Sequence, residues 1–210
     1  MRKFSNKSKK EKKNAIRRKT KRNRRNNKRR TYRKKMKGGD ASDNIKKNVI
    51  VLDDIFKKVV KEYKNIEYLK HYNERFNKKV SELASDRSSC QWSYGNTEEC
   101  RKNKKYLFTL AVILLNYYDK GLDKLIVHLN KKKENEDLKE KISLVNNFKK
   151  IIDDNKTEME NQATSRHAIP KDFNIDILKL EDLELYKNPI TEKNIDRILE
   201  YIEGQVIERN

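Results

Sequence analysis

Glycine and proline are scarce in this chain, five and two in 210 residues. So few breakers favour long helices. None of the five glycines falls into a pattern that cradles phosphate, which excludes nucleotide-binding loops of that kind. Cysteine is rarer still. Cys90 and Cys100 are the only two, too few for a disulfide-stapled scaffold and without neighbours at zinc-ligand spacing. The expectation is free thiols in a reducing interior; closure of a small loop around the single tryptophan, Trp92, is the alternative if the chain meets an oxidant. Long apolar runs are also missing. The longest, Tyr106 to Tyr118, is interrupted by Thr109 and Asn116 and falls short of the roughly 20 residues that span a bilayer, so no transmembrane segment is expected and the run reads as a buried helix. The first forty residues hold no apolar stretch of the sort a secretory signal needs, which points away from export by that route.

The most consequential absence is acidic charge in the first 39 residues, which hold 21 Lys or Arg and one carboxylate, Glu11. Subtracting these from the chain's 53 basic and 32 acidic residues leaves 32 and 31 for residues 40–210, so a chain of net charge +21 divides into an arm of +20 and a body of +1. Like charges repel along the arm, and its apolar content beyond Phe4, Ala15, Ile16, Tyr32 and Met36 is almost nil. Nothing offsets the entropy of ordering it, so residues 1–39 are expected to be a disordered basic arm when free. Fully extended it reaches about 130 Å. Gly38 and Gly39 form a flexible joint to the second unit, the helical domain of residues 40–210.

Within that domain Ser42 or Asp43 can cap a helix carrying Ile45, Val49, Leu52, Phe56, Val59, Tyr63 and Ile66 at alternating spacings of four and three. Ile50, Val51, Ile55 and Val60 widen this seam, which favours a bundle helix over a two-stranded coiled coil. Leu69, Tyr72, Phe76, Val80 and Leu83 continue after a phase slip, as one bent helix or two shorter ones. Asn96 and Glu99 have capping-box spacing. The run from Tyr106 to Leu115 is apolar nearly all round and predicts a central helix, with Gly121 placed to end it and Leu122, Leu125, Ile126 and Leu129 forming a short successor. Lys131 to Asp137 bridges or kinks, and Leu138, Ile142, Val145, Phe148 and Ile152 mark a further helix. Pro170 breaks any helix between 161 and 190, where Phe173, Ile175 and Ile177 alternate like a short strand. Thr191 is the expected N-cap of a last helix, stapled by Ile190 and Ile195. The fold class is therefore all-α, an irregular bundle of five or six helices.

The functional residues are expected in the arm. Each phosphate neutralised by Lys or Arg releases condensed counterions from a nucleic acid, whatever its sequence. The candidates are Arg17, Arg18, Lys19, Lys21, Arg22, Arg24, Arg25, Lys28, Arg29, Arg30, Arg33, Lys34 and Lys35. The arginines matter most, because a guanidinium binds phosphate bidentately or enters a narrow minor groove. Base-specific readout requires a rigid element, and only Phe4 and Tyr32 can stack, so nonspecific binding to nucleic acid, chiefly duplex DNA, is expected. The cluster Arg17 to Arg22 also suits nuclear import, and the arm's charge suits an anionic membrane or an acidic protein. A mitochondrial transit peptide lacks support because the arm has no apolar face.

No catalytic, cofactor or metal site is expected. His71, His128 and His167 lie far apart and beside no metal-ligand pattern. The pairs Asp53–Asp54 and Asp153–Asp154 read as solvated faces, since neighbours on a helix point in different directions. Cys100 near a helix start has no histidine close in sequence to act as its base.

The run Arg29-Arg30-Thr31-Tyr32-Arg33-Lys34-Lys35-Met36-Lys37-Gly38-Gly39 resembles the basic N-terminal segments, often ending in Lys and paired Gly, of many nucleocytoplasmic large DNA virus (giant virus) proteins. The Lys, Asn and Ile bias of the body is similar to that of their AT-rich genomes. The resemblance implies a virion or viral-factory protein in the host cytoplasm or nucleus, with an arm on packaged DNA and a helical body bound to viral proteins or to itself. The expectation from charge and resemblance together is a non-enzymatic architectural or packaging protein. A structural or interaction module with an arm for import, membrane or acidic protein is the runner-up, and an accessory enzyme a third class.

Overall fold

The structure, a computed structural model, describes residues 41–90, 97–132, 135–165, 169, 175 and 189–208. The chain divides into two units, Met1–Gly39 and Asp40–Asn210, and the described residues all belong to the second. They form five helices: α1 (Ala41–Glu62), α2 (Ile66–Ala84), α3 (Thr97–Asn130), α4 (Glu136–Thr164) and α5 (Glu192–Ile207). No strand occurs among the described residues. The all-α bundle read from the periodicity is therefore the fold.

Local chemistry explains the helix ends. The phase slip near Ile66 is a true break, falling just before that residue, which opens α2 instead of ending the first seam: the Asn65 side chain accepts the backbone N–H groups of Glu67 (3.0 Å) and Tyr68 (3.4 Å), so α2 begins afresh. Asn135 does the same for α4 through the Leu138 N–H at 2.7 Å. Thr191 precedes α5 as expected, its N–H donating to Asn194 Oδ1 at 2.8 Å, and Ile190 and Ile195 are both buried beside it. Asn96 and the alternating residues Phe173 and Ile177 lie outside the described residues.

α1, α2, α4 and α3 occupy the four corners of a bundle in that order, each packing on the next, and α3 closes the ring against α1. The contacts set the directions. Asp53 and Phe56 meet Tyr118 while Tyr63 meets His128, so α1 and α3 run parallel. Lys70 meets Glu140 and Asn73 meets Leu144, so α2 and α4 run parallel too. α2 and α3 are thus diagonal, joined by a connection that must cross one end of the bundle. α5 lies over α1 and α3. One continuous core runs through all five helices. Its centre is aromatic: Phe56 stacks on Tyr118 (centroids 4.2 Å), and Phe76 meets Tyr118 and Phe148 edge-on at 6.2 and 5.5 Å.

From Tyr106 to Leu115 every residue of α3 is buried, as expected of a helix surrounded by others. Gly121, however, does not end it. The 34-residue helix passes straight through to Asn130 and absorbs the segment expected to be a separate successor. The glycine is there for space. A Cβ at 121 would sit 2.8 Å from Phe56 Cζ, so the missing side chain is what lets the Phe56 ring approach α3.

Candidate nucleic-acid interface

Buried polarity in the bundle serves the fold first. Asp53, only 2% exposed, sits at i+4 from Val49 and i−3 from Phe56, on the apolar side of α1. Its Oδ2 accepts the Lys57 ammonium at 2.6 Å and the Ile190 N–H at 3.0 Å; its Oδ1 accepts the Tyr118 hydroxyl at a longer 3.4 Å. One carboxylate therefore ties together α1, α3 and the turn that launches α5. Burial, and next the Asp53 charge, hold the Tyr118 hydroxyl well above its ordinary pKa. The expectation that Asp53 and Asp54 are both solvated is corrected: Asp54 is exposed and pairs with Lys58 at 2.8 Å, whereas Asp53 is interior. Its position within the i, i+3, i+4 pattern of the apolar seam was the signal. Asp153 and Asp154 are exposed as expected.

The cysteines are also corrected. Cys90 and Cys100 form a disulfide, with Cα atoms 5.9 Å apart, so neither is the free thiol expected. The bond joins the diagonal α2–α3 connection to the first turn of α3. Lys104 reinforces it by donating to the Ser88 carbonyl at 2.7 Å, and Asp86 holds the turn through the Ser88 N–H at 2.8 Å. The spacing of ten residues and the position of Cys100 just inside a helix start were the legible signs.

His71 and His128 are both exposed on separate helices, and His167 lies outside the described residues. His128 Nε2 lies 3.2 Å from the Tyr63 hydroxyl. Among the described residues no three His, Cys, Asp or Glu gather as a metal-binding group. A cavity of about 250 Å³ opens where α1 ends and α4 begins, with Leu129 and Leu138 among its walls and Lys64, Lys132 and Lys141 beside Tyr63, Asn135 and Asp137. Lys132 lies over the Tyr63 ring at 5.3 Å. Asp137 is engaged by Lys141, so the other two ammonium groups set the charge of the opening. The sequence reading missed this cavity, because it draws on residues from three segments that only the bundle brings together.

All thirteen arm positions, from Arg17 to Lys35, lie outside the described residues. No described helix is long and apolar enough to cross a membrane. The molecule is, in class, an all-α bundle with a basic leader. No protein-family model, curated protein or solved structure matches the chain.

Proposed function

We propose that the protein is a non-enzymatic nucleic-acid-binding protein of the architectural or packaging kind: the arm contacts phosphates without regard to sequence, and the helical body serves protein–protein assembly. The observation that carries this reading is the charge division, +20 in 39 residues against +1 in the other 171. Such an excess is costly to hold near itself and is relieved by a polyanion, with counterion release as the driving force. Support for separate roles comes from the described helices, which share one continuous core among themselves. The resemblance of residues 29–39 to giant-virus basic segments suggests packaged DNA as the polyanion. The paired cysteines favour a virion over a reducing host cytoplasm as the setting of the mature protein.

The test is fluorescence anisotropy of a labelled DNA duplex titrated with the full chain across salt. If about ten arm charges engage phosphate, log affinity falls against log salt with a slope of about −9. Scrambling the duplex sequence should leave both affinity and slope unchanged. A slope near zero, or a strong sequence preference, overturns the reading.

A further inference from the structure

The near-zero charge of the body conceals a second segregation. Most lysines that belong to the interhelical packing are neutralised: Lys46 by Asp196, Lys70 by Glu140, Lys102 by Glu203, and Lys149 by Asp119 and Asp123. Lys61, Lys64, Lys120, Lys124, Lys131 and Lys132 form another group, set apart from the equally unpaired Lys47, Lys78, Lys150 and Lys193 by gathering at the far ends of α1 and α3. All six are exposed, and none forms an ion pair with a described residue.

Their placement follows from the fold. α5 covers the groove between α1 and α3 only over its first part, through Lys46–Asp196, the Ile190 N–H on Asp53, and Lys102–Glu203. Past Phe56 and Gly121 the two parallel helices run on without it. Lys61 belongs to this stretch of α1 and Lys64 to the turn after it; Lys120 and Lys124 lie one turn apart on α3, and Lys131 follows just past its end. Lys132 follows at the end of α3, over Tyr63. The aspartates of the same stretch are engaged. Asp53 and Asp54 hold Lys57 and Lys58, and Asp119 and Asp123 hold Lys149 of α4. Val60 and Val127, 45% and 55% exposed, belong to the same two segments.

A surface with six unneutralised ammonium groups fits a dense array of negative charge. From Lys120 to Lys131 the helix rises about 17 Å, a length over which duplex DNA presents about ten phosphate charges. We propose that this lysine face of α1 and α3 is a second backbone-contact surface, so that a duplex bound by the arm also lies along the body. The cavity at its end, with Lys64 and Lys132 at its opening, receives one phosphate of that backbone. The proposal rests on the arm being a nucleic-acid element, and it adds that the body is not a passive partner.

The test uses the full chain carrying Lys64→Gln, Lys124→Gln, Lys131→Gln and Lys132→Gln, compared with a control carrying Lys47→Gln, Lys78→Gln, Lys150→Gln and Lys193→Gln, equally exposed and unpaired lysines elsewhere on the body. The two variants lose equal charge, and every altered side chain is exposed, so circular dichroism and melting should match the unaltered chain. Against labelled duplex DNA, the face variant should show a salt slope shallower by about three to four, the loss of four phosphate contacts; the control should shift by less than about one. Equal shifts in the two variants, or no shift in either, overturn the lysine face while leaving the arm reading intact, and assign the face to an acidic protein instead. Failure of the unaltered chain to bind any duplex overturns both.

Discussion

Asp53 carries more structural consequence than its exposed neighbour Asp54, although the sequence presents them as a pair. Removing the Asp53 carboxylate leaves the Ile190 N–H and the Tyr118 hydroxyl unsatisfied in the interior and strips Lys57 of its partner. Asp53→Ala should therefore cost about 2–4 kcal/mol of stability, while Asp54→Ala stays within about 0.5 kcal/mol. Urea denaturation of the two variants checks this, and equal midpoints contradict it. Tyr118 makes the same centre sensitive to alkali. Its hydroxyl is held well above the ordinary tyrosine value by burial and then by Asp53, and burial raises Tyr106 and Tyr117 as well. A group with a raised folded pKa lends stability that is complete below its unfolded value, about 10 for tyrosine, and is lost as pH climbs through the folded value. Lys105, lowered by burial, works in the opposite sense. Three phenols outweigh one ammonium. The melting temperature should be level from pH 7 to 9 and fall above about pH 10, less steeply in Tyr118→Phe. A melting temperature unmoved at pH 11 contradicts this. The sequence made the apolar partners of this centre legible, since Val49, Leu52, Phe56 and Val59 repeat at helical spacing. It did not reveal the polar knot, because Ile190 reaches Asp53 across 137 positions.

At the scale of elements, α3 decides the architecture. Its buried middle was readable from unbroken apolar residues, and its continuation through Gly121 was not, because glycine signals both a helix end and a close approach. The ring of Phe56 distinguishes the two. Gly121→Ala gains about 1 kcal/mol of helix propensity but drives a methyl into a ring already fixed against Tyr117 and Tyr118, a packing cost of about 1–3 kcal/mol. The net effect should be destabilising, whereas Gly204→Ala in α5, where a Cβ meets nothing within 4 Å, should stabilise by about 1 kcal/mol. Thermal melts of the two variants should shift in opposite directions; a shift of the same sign in both contradicts the packing argument. The α2–α3 connection poses a different problem. The disulfide and the Lys104–Ser88 bond fasten its described part to α3. Closing so short a loop stabilises by up to about 3 kcal/mol. Reduction with dithiothreitol, or Cys100→Ser, should lower the melting temperature by several degrees without changing the helical signal at 20 °C. An unaltered melting temperature contradicts a structural role for the bond. Two cysteines among 210 residues do not announce this, because composition speaks to compartment and not to geometry.

For the whole molecule, charge is sorted along the chain, between an arm of +20 and a body of +1, and six unpaired lysines of the body gather a second time at the far ends of α1 and α3. The first division is visible in any count of residues. The second is not, since Lys61 and Lys131 become members of one surface only after the bundle sets α1 beside α3 in parallel. On the function proposed, both divisions would serve the same end, a body tethered to a polyanion with most of the attraction in the leader and a smaller part on the helices. The most direct measurement of that claim compares binding of a DNA duplex, at one salt concentration near 0.1 M, by the full chain and by a chain beginning at Asp40. The account expects the shortened chain to keep its helical spectrum and to lose at least a hundredfold in affinity, with a weak, salt-sensitive remainder from the lysine face. Equal affinity of the two would contradict it.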